Sequence, residues 1–341
     1  MTAREQIIAQ FLSNTNWSNA VRAPLAGDAS LRKYQRLGAG IDGRGTVLMD
    51  ADPALGNDVN PFMRITQYLR SINLSAPEIF AAGEANGLLL IEDLGDALYA
   101  RVVQDDPSLE APLYEAATDV LLDLHSAAPP ALDHYDTAMM TKMAALAFDW
   151  YQLGAHAAVD IRAKTAFSSA FSALLDTEIG QPSVLIQRDY HAENLLWLPT
   201  REGTARVGLL DYQDALLGHP AYDLVSLLKD ARRDVPEGIE EAMITRYVHA
   251  SGMGNASFRN AYHVLGLQRN LRILGVFARL SMHFGKLSYI DLIPRVWGHI
   301  QRDLAHPVNQ PVADILIAAL PAPSPEILQR LKDKCATIPT L

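Results

Sequence analysis

A single cysteine, Cys335, stands in 341 residues, which excludes an internal disulfide and any cysteine-ligated metal cluster and fits a reducing compartment. No apolar run reaches bilayer-spanning length, and the opening MTAREQIIAQFL lacks the apolar core of a signal peptide. The expectation is a cytoplasmic protein with no membrane partner. Basic charge is also short: 29 Lys and Arg against 39 Asp and Glu leave a formal charge of -10. The basic residues are scattered or paired, as in Arg232-Arg233, which argues against nucleic acid as a partner. An anionic small molecule stays compatible, because locally placed arginines and a metal can overrule net charge. Strict heptads are missing too, so the oligomeric state is not legible.

What is present is ample apolar content, 49%, enough for a sizeable core without staples. Thr2 and Glu5 make a capping box ahead of Ile7, Ile8, Phe11 and Leu12, which recur at helical spacing. From Val21 to Met49 the pattern becomes short strands punctuated by LAGDAS and IDGRG, with TVLM the clearest. Asn60 and Pro61 start a helix with Phe62, Ile65, Thr66 and Leu69 on one face, and EIFAAGE and GLLLIED supply two further strands. Beyond Gly95 helical periodicity takes over at Leu113 to Ser126, Met139 to Tyr151 and Lys164 to Leu175. Pro220 starts another helix with Leu224, Val225 and Leu228 as its apolar face. The pattern predicts an α+β fold of two lobes: a small antiparallel sheet lobe over 1–93, a joint at 88–95, and a larger helical lobe over 96–341.

The densest chemistry is QRDYHAEN, between the strand-like runs VLI and LLWL, followed by GLLDYQDA. Asp189 and Asn194 lie five apart across a turn, and Asp211 ends the next strand, returned toward that loop by the turn PTREGT. Two carboxylates and an amide suit phosphoryl transfer from a magnesium-bound nucleoside triphosphate. Asp189 would orient the attacking hydroxyl and take its proton, Asn194 would offer an amide oxygen to magnesium, and Asp211 would bridge metal and phosphates.

These segments, with VGLLDYQDALLGHPAYDLVSLL, resemble the aminoglycoside phosphotransferase and choline kinase family of small-molecule kinases, relatives of the protein kinases. The resemblance implies a protein-kinase-like two-lobed fold, ATP and Mg2+ as cofactors, Asp189 as catalytic base, and Asn194 and Asp211 as metal ligands. It also implies that Asp223 supports the catalytic loop, for which a first-turn helical carboxylate that finds free amides is a physical reason. Gln187 stands where the family usually has histidine and Arg188 where glycine is frequent; both are read as supports of the loop, as is His125 at the end of LLDLH. His191 is placed to contact phosphate or sugar. Glu92 marks the segment whose backbone would meet adenine.

The family's strand lysine is missing: TVLMDADP carries Met49 and Asp50 at that place. Substitute cations are offered by GDASLRKYQRL, in Arg32, Lys33 and Arg36, with backbone donors around Gly27, Asp28 and Ser30. Alternation puts Arg32, Tyr34 and Arg36 on one face and Lys33 on the other without saying which face meets the nucleotide. These stretches, together with RNLRILGVFARL and GKLSYIDLIPRVWGHI, are similar to a bacterial branch that phosphorylates the anomeric 1-OH of N-acetylmuramate and N-acetylglucosamine. The acceptor partner implied is a small amino sugar; Arg269 and Arg272, with Arg279 recurring on the same helix, are candidate recruiters of its lactyl carboxylate, a solvated basic face being the alternative. Phe277, Tyr289 and Trp297 have the spacing of helical core residues. Three alternatives stay open at this stage: an aminoglycoside, choline or other amino alcohol as acceptor; a nucleotide-binding pseudokinase; and a two-metal hydrolase, for which further ligands are not evident.

Overall fold

The structure, a computed structural model, describes residues 2–25, 32–38 and 43–339. In chain order come α1 (Ala3–Ser13), β1 (Arg22–Leu25), β2 (Lys33–Leu37), β3 (Thr46–Asp50), α2 (Asn60–Ser71), β4 (Ile79–Gly83) and β5 (Leu88–Glu92). Next are α3 (Tyr99–Asp105), α4 (Glu110–Ser126), α5 (Thr137–Ala144), α6 (Leu153–His156), α7 (Ile161–Glu178), β6 (Val184–Ile186), β7 (Leu195–Trp197), β8 (Val207–Leu209) and β9 (Leu216–Gly218). The chain continues with α8 (Ala221–Leu228), α9 (Glu237–Ser251), α10 (Asn255–Met282), α11 (Ile293–Leu304), α12 (Gln310–Ala319) and α13 (Pro325–Asp333). None of the helices formed by described residues is long and apolar enough to cross a membrane.

Two compact units emerge, Met1–Ala127 with Ala192–Ala215, and Ala128–His191 with Leu216–Leu341. The first therefore runs past residue 93, where the sequence put the edge of the small lobe: it also takes in α3, α4 and the β7–β8 hairpin.

In the first unit a five-stranded antiparallel sheet has the order β1-β2-β3-β5-β4. Its register, Gln35 opposite Leu48 and Leu48 opposite Leu90, puts those residues on one face with Leu37 and Leu88. There Ile8 and Leu12 of α1 and Trp17 close the core against Leu37, Leu48, Leu88 and Leu90. Thr2 caps α1 by accepting the Glu5 amide, but the return half of the capping box is not made, because the Glu5 carboxylate pairs instead with Arg22 at 2.6 Å. Along α2 the buried residues are Phe62, Ile65, Thr66 and Leu69, the face read from the sequence. Asn60 is the first helical residue, not the cap; Asp58 receives its amide at 2.9 Å.

In the second unit β6 pairs with β9 and not with the LLWL strand that follows it in sequence. The helix after Pro220, α8, is buried on every face and not on one stripe alone. The segment from Met139 does not run straight to Tyr151: α5 ends at Ala144 and a π-helical turn occupies Ala147–Gln152. α10, 28 residues long, passes so close to that turn that a Cβ on Gly275 would lie 2.3 Å from the Leu146 backbone. Phe277 meets Tyr289, and Trp297 meets Tyr151, as packed rings.

Candidate active site

In the second unit the chain leaves β6 at Gln187 and turns sharply. Arg188 takes a left-handed backbone, φ 73°, a conformation that favours glycine. The turn is held by Asp223 on α8, whose Oδ2 accepts the Gln187 amide at 2.6 Å and whose Oδ1 accepts the Arg188 amide at 2.9 Å. Asp223 has no solvent exposure, and burial pushes its carboxyl up to about 7 although the two amides pull the other way. The amides it serves thus belong to the loop, not to its own helix as the first-turn argument suggested. Gln187, also buried, lends its backbone to this contact.

Asp189 sits one residue beyond. Arg269 of α10, only 3% exposed, brings Nη2 to 3.6 Å from its Oδ1. Burial pushes the Asp189 carboxyl up, but Arg272 and then Arg269 outweigh it and hold it below the usual carboxylate value. Asp189 is therefore ionised at neutral pH and able to accept a hydrogen bond from a hydroxyl. Arg272 keeps its charge despite burial because Tyr222 and Asp189 stand beside it. Arg269 and Arg272, read from the sequence as recruiters of an acceptor carboxylate, both attend to Asp189. His191 is buried rather than open; burial pushes it down to about 4 against the pull of Asp230, and Arg232 Nη1 lies 3.4 Å from its Nε2. In the sequence Arg232 stood out only as half of the basic pair Arg232-Arg233, and Asp230 not at all.

Between His191 and Ala192 the chain passes into the first unit. The β7–β8 hairpin pairs Leu195 with Leu209, and the Leu210 amide donates to the Asn194 carbonyl at 3.0 Å. The expected return thus brings Asp211 to Asn194, whose Nδ2 is 3.5 Å from Asp211 Oδ2, while Gln213 donates to Oδ1 at 2.8 Å. Asp211 is exposed and adopts φ 58°, which turns the chain out of β8. No cluster of three His, Cys, Asp or Glu ligands occurs among the described residues. A lone exposed carboxylate beside an amide suits magnesium, which keeps waters and phosphate oxygens as its remaining ligands.

Register sorts the basic residues of β2 between the two sheet faces. Lys33 pairs with Asp50, on the face covered by α1, where Arg4 Nε and Nη2 donate to Asp50 Oδ1 at 2.9 and 2.5 Å. Tyr34 occupies the opposite face with Met49, which is fully buried, and Arg32 hydrogen-bonds Tyr34 from just before the strand. Burial pushes the Tyr34 hydroxyl up; Arg32 opposes this and Asp211 reinforces it, so all three share one electrostatic neighbourhood. Arg36 shares that face but binds Asp93 at 2.5 and 3.0 Å and Asp96 at 2.9 and 3.0 Å. Of the three cations proposed to replace the strand lysine, Lys33 lies on the α1 face, Arg36 is paired with two carboxylates, and Arg32 lies beside Tyr34. Gly27, Asp28 and Ser30 lie outside the described residues.

Glu92 is bound into the framework of the unit. Its amide donates to the Glu78 carbonyl at 2.8 Å, Oε1 accepts from Arg201 at 2.5 Å and Oε2 from the Glu78 amide at 3.2 Å. Through Arg201 the Glu92 carboxylate ties β5 to the β7–β8 turn. His125 is half-buried in the last turn of α4.

The pattern described as "Phosphotransferase enzyme family" matches residues 21–262. Over 89% of this chain and 93% of the relative, the sequence is 37% identical to an N-acetylmuramate/N-acetylglucosamine kinase of Caulobacter vibrioides. A protein of the same name from Pseudomonas aeruginosa is 31% identical over 87% of this chain and 88% of the relative. Among solved structures, an ADP-bound aminoglycoside phosphotransferase superposes with a TM-score of 0.57 at 12% identity, over 88% of this chain and 97% of that one. That likeness is one of fold: α+β and kinase-like, with a small antiparallel sheet and a mostly helical remainder.

Proposed function

The chain belongs to the phosphotransferase enzyme family and is a phosphotransferase with an alcohol group as acceptor; from that premise we propose that it transfers the γ-phosphoryl group of ATP to the anomeric 1-OH of N-acetylmuramate or N-acetylglucosamine. The acceptor assignment rests on the likeness to kinases of those sugars over most of the chain. In this reading Asp189, ionised and steadied by Arg269, accepts the hydrogen of the sugar hydroxyl and so aims the oxygen at phosphorus. The O–H bond breaks toward Asp189 as the new O–P bond forms, and the bond from the γ-phosphorus to the bridging oxygen breaks to release ADP. The product is a sugar 1-phosphate.

Asp211 and Asn194 would hold Mg2+, which supplies charge neutralisation on the phosphates when bound. Arg32 adds positive charge beside Tyr34, in place of the strand lysine. Asp223 fixes the loop backbone, so that Asp189 has little freedom to lose when substrate arrives.

The test is ATP consumption with magnesium against N-acetylmuramate, N-acetylglucosamine, choline and kanamycin. Turnover confined to the two N-acetyl sugars is the expected result. Turnover with choline or kanamycin alone would replace the acceptor class while leaving the phosphotransfer chemistry in place.

A further inference from the structure

Between Val264 and Met282, α10 is buried at every position except Arg272, Val276, Arg279 and Leu280. Those positions share one side of the helix, so a narrow half-exposed stripe begins at Arg272, beside Asp189, and runs away from it. Three of the four arginines of α10 are engaged, Arg259 of its first turns with Glu241. Arg269 pairs with Asp189 and lies 3.5 Å from the Arg188 carbonyl, and Arg272 is held by Tyr222 and Asp189. Arg279 is different: among the described residues its side chain has no ion pair or hydrogen bond, and its Nε is buried without a partner. Burial, and secondarily the neighbouring charge of Arg272, push its guanidinium down. A half-buried cation whose nearest charged neighbour is another cation is costly unless an anion completes it.

We infer that Arg279 binds the carboxylate of an anionic acceptor and is the residue that distinguishes N-acetylmuramate from N-acetylglucosamine. The inference rests on the amino-sugar reading above and deepens it. The two sugars differ by a lactyl ether on C3, two carbons from the anomeric centre. With the anomeric oxygen at Asp189, that ether points along the sugar ring, away from the reacting end. Seven residues of helix separate Arg272 from Arg279, roughly 10 Å of rise, a separation that two extended guanidinium side chains and one hexose ring can span. Val276, between them on the stripe, offers an apolar surface to the lactyl methyl group. A guanidinium fork receives a carboxylate through two parallel N–H donors, which suits the lone, unpaired Arg279. Arg269 and Arg272 cannot serve in this way without surrendering Asp189.

The experiment compares kcat and KM for both sugars in the wild type, Arg279→Leu and Arg279→Lys. In Arg279→Leu, KM for N-acetylmuramate should rise roughly tenfold or more, with kcat and both constants for N-acetylglucosamine staying within about twofold. Arg279→Lys keeps the charge without the fork and should recover part of the loss. Turnover of N-acetylglucosamine by each variant establishes that it is folded. Equal losses on both sugars would assign Arg279 a structural role and overturn the inference, as would unchanged constants on both, or a wild type that uses N-acetylglucosamine alone. A wild type inert toward both sugars would remove the amino-sugar reading itself, and this inference with it.

Discussion

Asp223 and Gln187 stand 36 residues apart in sequence and are joined by a 2.6 Å hydrogen bond from the Gln187 amide to the buried Asp223 carboxylate. Together with the Arg188 amide this bond shapes the turn that presents Asp189. Asp223→Asn retains one acceptor but sets an NH2 group against the other amide. The expected result is a folded protein with kcat lowered roughly tenfold or more. Unchanged kcat would show that the turn holds its shape without the second acceptor.

The same carboxyl makes stability depend on pH. Burial raises Asp223 to about 7 in the folded protein, above its unfolded value of about 4. Its contribution to stability is therefore complete below about pH 4 and is lost as pH rises through about 7. Asparagine does not titrate, so the melting temperature of the wild type relative to Asp223→Asn should fall across that window and level off above it. Paired thermal melts provide the check, and parallel curves would contradict it.

Asp189 is held low, and His191, pushed down to about 4, is neutral well above that pH. Neither group should give kcat an acid limb between about pH 5 and 8. A limb in that range that disappears in His191→Gln would contradict the account. Asp189→Asn should lower kcat roughly 100-fold or more while magnesium-nucleotide affinity, measured by calorimetry, changes little.

Arg36 and Arg32 should respond differently to truncation. Arg36 binds two carboxylates in a partly exposed setting, so Arg36→Ala should cost about 1 kcal/mol, a few degrees in Tm, with a small effect on KM for ATP. Arg32→Ala should raise KM for ATP more than Arg36→Ala does. The reverse pattern would return the phosphate-binding role to Arg36.

Met49→Lys puts a lysine at one of the two β3 positions considered for it, a side-chain position that is fully buried, opposite Tyr34 and Leu89. The added ammonium should destabilise the protein by about 2 kcal/mol or more without improving KM for ATP. Improved ATP affinity at undiminished Tm would mean that this face already receives the phosphates at residue 49.

Much of this was legible in the letters because periodicity reports burial directly. Phe62, Ile65, Thr66 and Leu69 are one such case, and the return of Asp211 to Asn194 follows from two short apolar runs and one turn. The partners of charged groups were not legible. Nothing in KYQRL indicates that Arg36 is taken by Asp93 and Asp96, 57 and 60 residues away, because ion pairs between distant segments leave no periodic trace. Asp223 was noticed, yet its partners are backbone amides, which every residue but proline possesses and which therefore carry no sequence signal. Glu92 was read as a marker of the nucleotide-binding segment from family resemblance; its engagement with Arg201, 109 residues away, leaves no trace in the letters. The π-helical turn at Ala147–Gln152 broke a helix that apolar spacing had drawn as continuous.

The central claim is transfer of phosphate to the anomeric oxygen. The direct measurement is 31P NMR of the product formed from ATP, magnesium and N-acetylglucosamine carrying 18O at the 1-OH. The account predicts a sugar 1-phosphate whose bridging oxygen retains the label, absent when Asp189→Asn replaces the wild type. Phosphate on another hydroxyl, or loss of the label from the bridge, would contradict it.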